Sequence, residues 1–192
     1  VDKTLVPGMA KDLKVVYTPF HGAGYRLVPE ALRRMGLKKL YIVEEQGKPD
    51  GTFPTVKSPN PENPEGFALG VKLAKKKGSD LVVATDPDCD RVGVMAKNRD
   101  GEFETVTGNC MGALLLDYIL SAHSENGTMP PDPYAVKTIV SADLACEICK
   151  RFGVKLHEVL TGFKYIAEQI HRFETTGCNT FMFGFEESYG FL

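Results

Sequence analysis

Short apolar blocks separated by turn residues run the length of the chain, alternating between strand and helix lengths. LKVVYT at residues 13–18 is β-branched, too short for a helix and closed by Pro19, so it predicts a buried strand. The glycine-rich turn FHGAG leads into a helix predicted over residues 25–35 and stopped by Gly36. LYIV at 40–43 predicts a second strand, and residues 45–64, rich in Pro, Gly and Asn, a long loop. Pro64 and Glu65 suit the first turn of a helix running to Lys77, with Gly78 as its stop. Strands follow at 80–85, 92–96 and 103–106, the last two separated by the turn signal Asn98-Arg99-Asp100-Gly101.

The second half repeats that grammar. Thr107 caps a helix predicted through residue 122, and the polar stretch HSENGTMPPDP is a loop. A strand at 136–140, a helix at 143–152, a strand at 154–160, a helix at 162–173 and a strand at 180–183 complete it. The pattern therefore predicts an α/β protein of two modules, residues 1–104 and 105–192. They share a pattern of elements but no detectable repeat of residues.

Composition narrows the function classes. With 43% hydrophobic and 25% charged residues, the 192-residue chain is ordinary globular protein. A net charge of −2 gives no global field for nucleic acid or an anionic membrane. No apolar stretch reaches the roughly 20 residues a membrane helix requires. Five cysteines without scaffold spacing suit a reducing cytoplasm. Cys146 and Cys149 form a C-x-x-C inside a predicted helix with no second pair for zinc, so they read as core-facing thiols. A start at Val1 and a stop at Leu192, just after a glycine-flanked polar motif, suggest a piece of something longer.

Chemistry collects in loops that follow strands, where open α/β sheets bind ligands. ATDPDCDRVGV places Asp86, Asp88 and Asp90 at alternate positions, and an extended backbone would point all three the same way. Three hard oxygen donors suit Mg2+. An EF-hand is excluded because Arg91 and Lys97 stand where Gly and Glu are required. The alternative is a solvated acidic turn offset by Arg91, whose fork also suits a phosphate beside a metal. FHGAG before a helix could offer amides to an anion, and His21 could brace that loop or carry a proton. GFEESYG holds adjacent carboxylates and a serine between glycines, acceptors that suit sugar hydroxyls.

Together these motifs resemble those of the α-D-phosphohexomutases, the phosphoglucomutase/phosphomannomutase family. DPDCDR resembles the family's D-P-D-x-D-R magnesium loop, and GFEESYG its sugar-binding loop. TGFK is similar to its specificity loop in the phosphoglucomutase-like form. TPFHGAG and PNPENPE resemble stretches of the second domain. The resemblance implies two consecutive three-layer α/β/α domains with mixed, mainly parallel sheets, corresponding to the family's second and third domains. It implies Mg2+ on Asp86, Asp88 and Asp90, with Arg91 as a catalytic group near a phosphoserine outside this chain. It implies sugar contacts from Glu186 and Ser188, with orientation sensed by Thr161, Gly162, Phe163 and Lys164. Phe185 before the carboxylates leaves the register of Glu186 against Glu187 open.

The implied reaction interconverts hexose 1-phosphate and hexose 6-phosphate through a phosphoserine and a bisphosphate, with glucose 1,6-bisphosphate as activator. None of Ser58, Ser79, Ser121, Ser124, Ser141 and Ser188 has the setting of the family's nucleophile, and the phosphate-clamping loop of its fourth domain is missing too. The chain alone is thus expected to be inactive, its partners being the first and fourth domains. A phosphomannomutase, a phosphopentomutase or a non-catalytic sugar-phosphate-binding module are the alternatives.

Overall fold

The computed structural model describes residues 5–192, and the chain divides into two compact units, Val1–Val106 and Thr107–Leu192. In the first unit a short helix, α1 (Leu5–Ala10), precedes the first strand. No periodicity signals it, since six residues containing Pro7 and Gly8 are too few to show a helical repeat. The strands are β1 (Lys14–Thr18), β2 (Lys39–Ile42), β3 (Leu81–Thr85), β4 (Val92–Lys97) and β5 (Phe103–Val106). They form one sheet in the order β2-β1-β3-β4-β5. β1 runs parallel to β2 and β3, whereas β4 is antiparallel to both of its neighbours.

Helices α2 (Leu27–Arg34) and α3 (Ala68–Lys77) make the crossovers. The helix expected from residue 25 begins later, after a 3-10 turn at Ala23–Tyr25. Its cause is tertiary: Gly24 lies against the Tyr17 and Thr85 hydroxyls, where a Cβ would not fit, and this contact fixes the chain's path before the helix starts. Pro64–Phe67 is likewise a 3-10 turn ahead of α3, and Gly78 closes α3 at φ +61° as a left-handed cap. Val16, Phe20, Val43, Phe67, Val82 and Ala84 form the core beneath α3. Each fully buried Val or Phe contributes about 1.5–3 kcal/mol.

The second unit contains α4 (Gly108–Glu125), β6 (Pro133–Thr138), α5 (Leu144–Phe152), β7 (Lys155–Val159), α6 (Phe163–Thr176) and β8 (Thr180–Phe185). Its sheet has the order β7-β6-β8 and is parallel throughout. The Thr107 hydroxyl caps α4 by accepting the Cys110 amide at 3.2 Å. The strand expected at 136–140 is displaced, because β6 starts at Pro133 and stops at Thr138. Ile139 and Val140, each 56% exposed, belong to a turn closed by Ser141 N–H donating to the Thr138 carbonyl. Their apolarity imitates a strand, while Pro133 opens the real one where no amide donor is needed. Leu116, Leu120, Ala135, Ala145, Cys149 and Phe185 form one core, and Tyr134, Val136 and Ile166 another on the opposite sheet face. Cys149 is buried as expected, whereas Cys146 is half-buried. Among the described residues no helix is long and apolar enough to cross a membrane.

Candidate functional site

In the first unit the chain passes from β1 to β2 on one side, then returns to β3 on the other. The loops leaving β1 and β3 therefore part at a topological switch point, the usual binding crevice of such sheets. Asp86, Asp88 and Asp90 lie there, with one carboxylate oxygen of each within 4.8 Å of the others. Their convergence has a different cause from the extended alternation expected. The segment is the hairpin turn between β3 and β4, with the Cys89 amide donating to the Asp86 carbonyl at 3.1 Å and Cys89 in the left-handed region at φ +66°.

Asp86 is buried, and its Oδ1 accepts the Arg91 amide at 3.0 Å. Burial is the main reason its pKa is pushed up to about 7, and the Asp90 and Asp88 carboxyls push the same way. The Arg91 guanidinium leans over the cluster, with Nε 3.6 Å from Asp86 Oδ2 and 3.8 Å from Asp90 Oδ1. Three crowded carboxyls with oxygen donors alone, one of them buried against its charge, fit a small hard cation.

FHGAG is the seat of this turn. Gly22 packs so tightly on the Pro87 backbone that a Cβ would overlap it, and Ala23 N–H donates to the Pro87 carbonyl at 2.7 Å. The expectation that these amides face an anion is corrected: His21 N–H bonds to Gln46 O and Gly22 N–H to Pro19 O. His21 has Nδ1 3.3 Å from Lys48 O and Nε2 2.9 Å from Thr55 Oγ1, so both ring nitrogens tie down the 44–56 loop.

The second unit has the same switch point, between β6 and β8. Glu186 is buried, and its Oε1 accepts the Gly162 amide at 2.5 Å. Glu187 turns elsewhere: its Oε2 accepts the Thr138 hydroxyl at 3.1 Å and the Ser141 hydroxyl at 3.4 Å. Thr161, Gly162, Phe163 and Lys164 follow β7 and open α6, and Lys164 Nζ lies 4.8 Å from the Tyr165 ring centroid. Ser188 is half-buried in the turn after β8. Thr138 and Ser141 carried no motif, and only the contact across 49 residues reveals them.

A second group, Asp143, Cys146 and Glu158, also clusters, but Lys137 Nζ occupies it at 2.8 Å from Glu158 and 3.4 Å from Asp143. Burial opposes that charge, yet the bonds to Glu158 and Asp143 outweigh it and raise the lysine's pKa.

Residues 4–102 match the model of phosphoglucomutase/phosphomannomutase alpha/beta/alpha domain II, and residues 107–192 that of domain III. The chain is 39% identical over 181 residues to a phosphoglucomutase of Staphylococcus aureus, a match covering 94% of this chain and 32% of the relative. It thus spans about a third of the length of the curated relatives it matches. A putative phosphomannomutase from Thermus thermophilus superposes with a TM-score of 0.73 at 24% identity, over 100% of this chain and 39% of the other. The Aspergillus fumigatus N-acetylphosphoglucosamine mutase, solved with GlcNAc-6P and magnesium, gives 0.59 at 16% identity over 97% of this chain and 36% of its own. At these identities the two superpositions bear on the fold alone. The chain belongs to the phosphoglucomutase/phosphomannomutase family, of whose α/β/α domains it carries the second and third.

Proposed function

We propose that this chain supplies the metal-binding and sugar-binding domains of a phosphoglucomutase-type enzyme that interconverts hexose 1-phosphate and hexose 6-phosphate through a phosphoserine and a bisphosphate. The observation that carries this reading is the convergence of Asp86, Asp88 and Asp90 within 4.8 Å at a switch point. These three residues would hold Mg2+, which when bound neutralises charge on a transferring phosphoryl group.

Arg91 directs its guanidinium toward the same place, where its fork suits phosphoryl oxygens. Glu186 and Ser188 grip sugar hydroxyls, and Thr161, Gly162, Phe163 and Lys164 distinguish the two orientations of the sugar. His21, with both ring nitrogens engaged, positions the 44–56 loop rather than moving a proton. The enzyme is proposed to be cytoplasmic and activated by glucose 1,6-bisphosphate. Its nucleophilic serine belongs to another domain, so the 192 residues alone are inactive. The 32% coverage of the Staphylococcus aureus relative supports a larger active unit.

The test is conversion of glucose 1-phosphate to glucose 6-phosphate, with Mg2+ and trace glucose 1,6-bisphosphate. This chain and a longer polypeptide joining it to the family's first and fourth domains are assayed side by side. Activity in the longer chain only is expected. Inactivity of both, on mannose and pentose phosphates as well as glucose, would overturn the proposal.

A further inference from the structure

The loop of residues 161–164 follows β7 and the loop of residues 186–190 follows β8, strands on opposite sides of β6. They nevertheless meet at two points. Gly162 N–H donates to Glu186 Oε1 at 2.5 Å, a charge-assisted bond at the start of α6. The Phe163 ring lies directly on Gly190, so close that a Cβ there would overlap it. Gly162 has φ +125°, which side chains rarely adopt, so the backbone that presents this amide depends on glycine.

We propose that Gly162, Phe163, Glu186 and Gly190 form a clasp that makes the two loops one element, with Phe163 and Gly190 as positioning residues for the Glu186 carboxylate. This inference rests on the sugar-binding role proposed above and assigns the parts within it. With Oε1 taken by the Gly162 amide, Oε2 is the oxygen left to accept a sugar hydroxyl. Glu187 is turned to other partners, its Oε2 accepting the Thr138 and Ser141 hydroxyls. The orientation of the sugar is therefore sensed through the clasp: a shift of residues 161–164 moves the acceptor that grips the ring.

Two readouts test it on the same variants. In this chain, the Gly162 amide proton is followed by NMR in Glu186→Gln, Gly190→Ala, Phe163→Ala and the Gly190→Ala/Phe163→Ala double variant. Glu186→Gln is expected to move it upfield, since a neutral acceptor bonds more weakly. Gly190→Ala is expected to move it too, by displacing the ring, and the double variant to return it toward the wild-type position. In the longer polypeptide, Gly190→Ala should raise KM for hexose phosphate by roughly tenfold with a smaller change in kcat, and the double variant should recover part of that loss.

A Gly162 amide that ignores Glu186→Gln overturns the clasp, whether or not the enzyme turns over. A KM unchanged in Gly190→Ala overturns the positioning role even if the melting temperature falls. If the amide responds as expected but the wild-type longer polypeptide converts no sugar phosphate, the sugar-binding reading fails. The positioning claim then falls with it, and a purely structural contact between the loops remains.

Discussion

The turns after β3 and after β8 occupy the same place in their units and hold their charge differently. Each follows the third strand of a parallel trio, and each doubles back antiparallel, into β4 in the first unit and through the Phe185–Phe191 bridge in the second. Each places a non-glycine residue in the left-handed region at its fourth position, Cys89 at φ +66° and Tyr189 at φ +70°. Position for position, Asp86 answers to Glu186 and Asp88 to Ser188. The difference lies in what already meets the carboxylates. Glu186 has a backbone amide and Glu187 two hydroxyls. In the first turn Asp86 also accepts one amide, that of Arg91, yet three carboxyls face one another and the Arg91 guanidinium comes no nearer than 3.6 Å. Undersupplied negative charge calls for a cation, whereas carboxylates already steadied by neutral donors are suited to the hydroxyls of a polyol.

The largest expected effect comes from the glycines that let each turn lie against its neighbour. Gly108→Ala would drive a Cβ into the Glu187 carbonyl, and Gly22→Ala into the Pro87 backbone. Each should cost about 3 kcal/mol, because the obstructing atoms are backbone and cannot rotate away. Urea unfolding followed by NMR signals of both halves should show Gly108→Ala loosening residues 107–192 and Gly22→Ala residues 1–106. Equal loss across both halves in either variant would contradict their treatment as separate units.

A smaller effect is expected where the second turn is steadied. Thr138→Val with Ser141→Ala leaves the Glu187 carboxylate without its two donors and should destabilise the second unit by about 1–3 kcal/mol. Thr138→Ser with Ser141 intact should keep most of that stability. Urea midpoints distinguish the two, and an unshifted midpoint in the double variant would remove the hydroxyls from the account.

The smallest effect is a pH response confined to the second unit. Burial between Tyr134 and Phe173 lowers the His157 pKa below its ordinary 6.5, with Lys155 and Arg172 adding to the shift, and its Nε2 is buried without a partner. A depressed histidine pKa means that the unfolded chain takes up the proton first. The contribution to stability is therefore complete above about pH 6.5 and is lost as pH falls toward the lower folded value. Between pH 8 and pH 5 the melting temperature of wild type should fall further than that of His157→Phe. Parallel curves would contradict the assignment.

The legible and illegible parts of this molecule divide along physical lines. Strands β1, β3 and β4 were readable because β-branched runs bounded by turn residues have few other solutions. The positions of the candidate loops were readable because each sits directly after such a run. β6 was misplaced because Ile139 and Val140 are apolar yet exposed, a contradiction that only the Thr138–Ser141 turn resolves. The three aspartates were found by an argument about extended chains that does not apply, since a left-handed Cys89 brings them together instead. Glu187's partners Thr138 and Ser141, and the pairing of Gly162 with Glu186, depend on long-range contacts that periodicity does not encode.

The central claim is a division of labour between the two turns, and one kinetic comparison addresses it. In the longer polypeptide, Asp88→Asn and Glu186→Gln are assayed for glucose 1-phosphate conversion at saturating Mg2+ and bisphosphate. The account expects Asp88→Asn to lower kcat by orders of magnitude, because charge on the transferring group loses its stabilisation. Glu186→Gln should act mainly on KM, because it weakens a grip shared by ground and transition states. Near-normal turnover in Asp88→Asn would contradict the metal site, and a reversal of the two patterns would contradict the division itself.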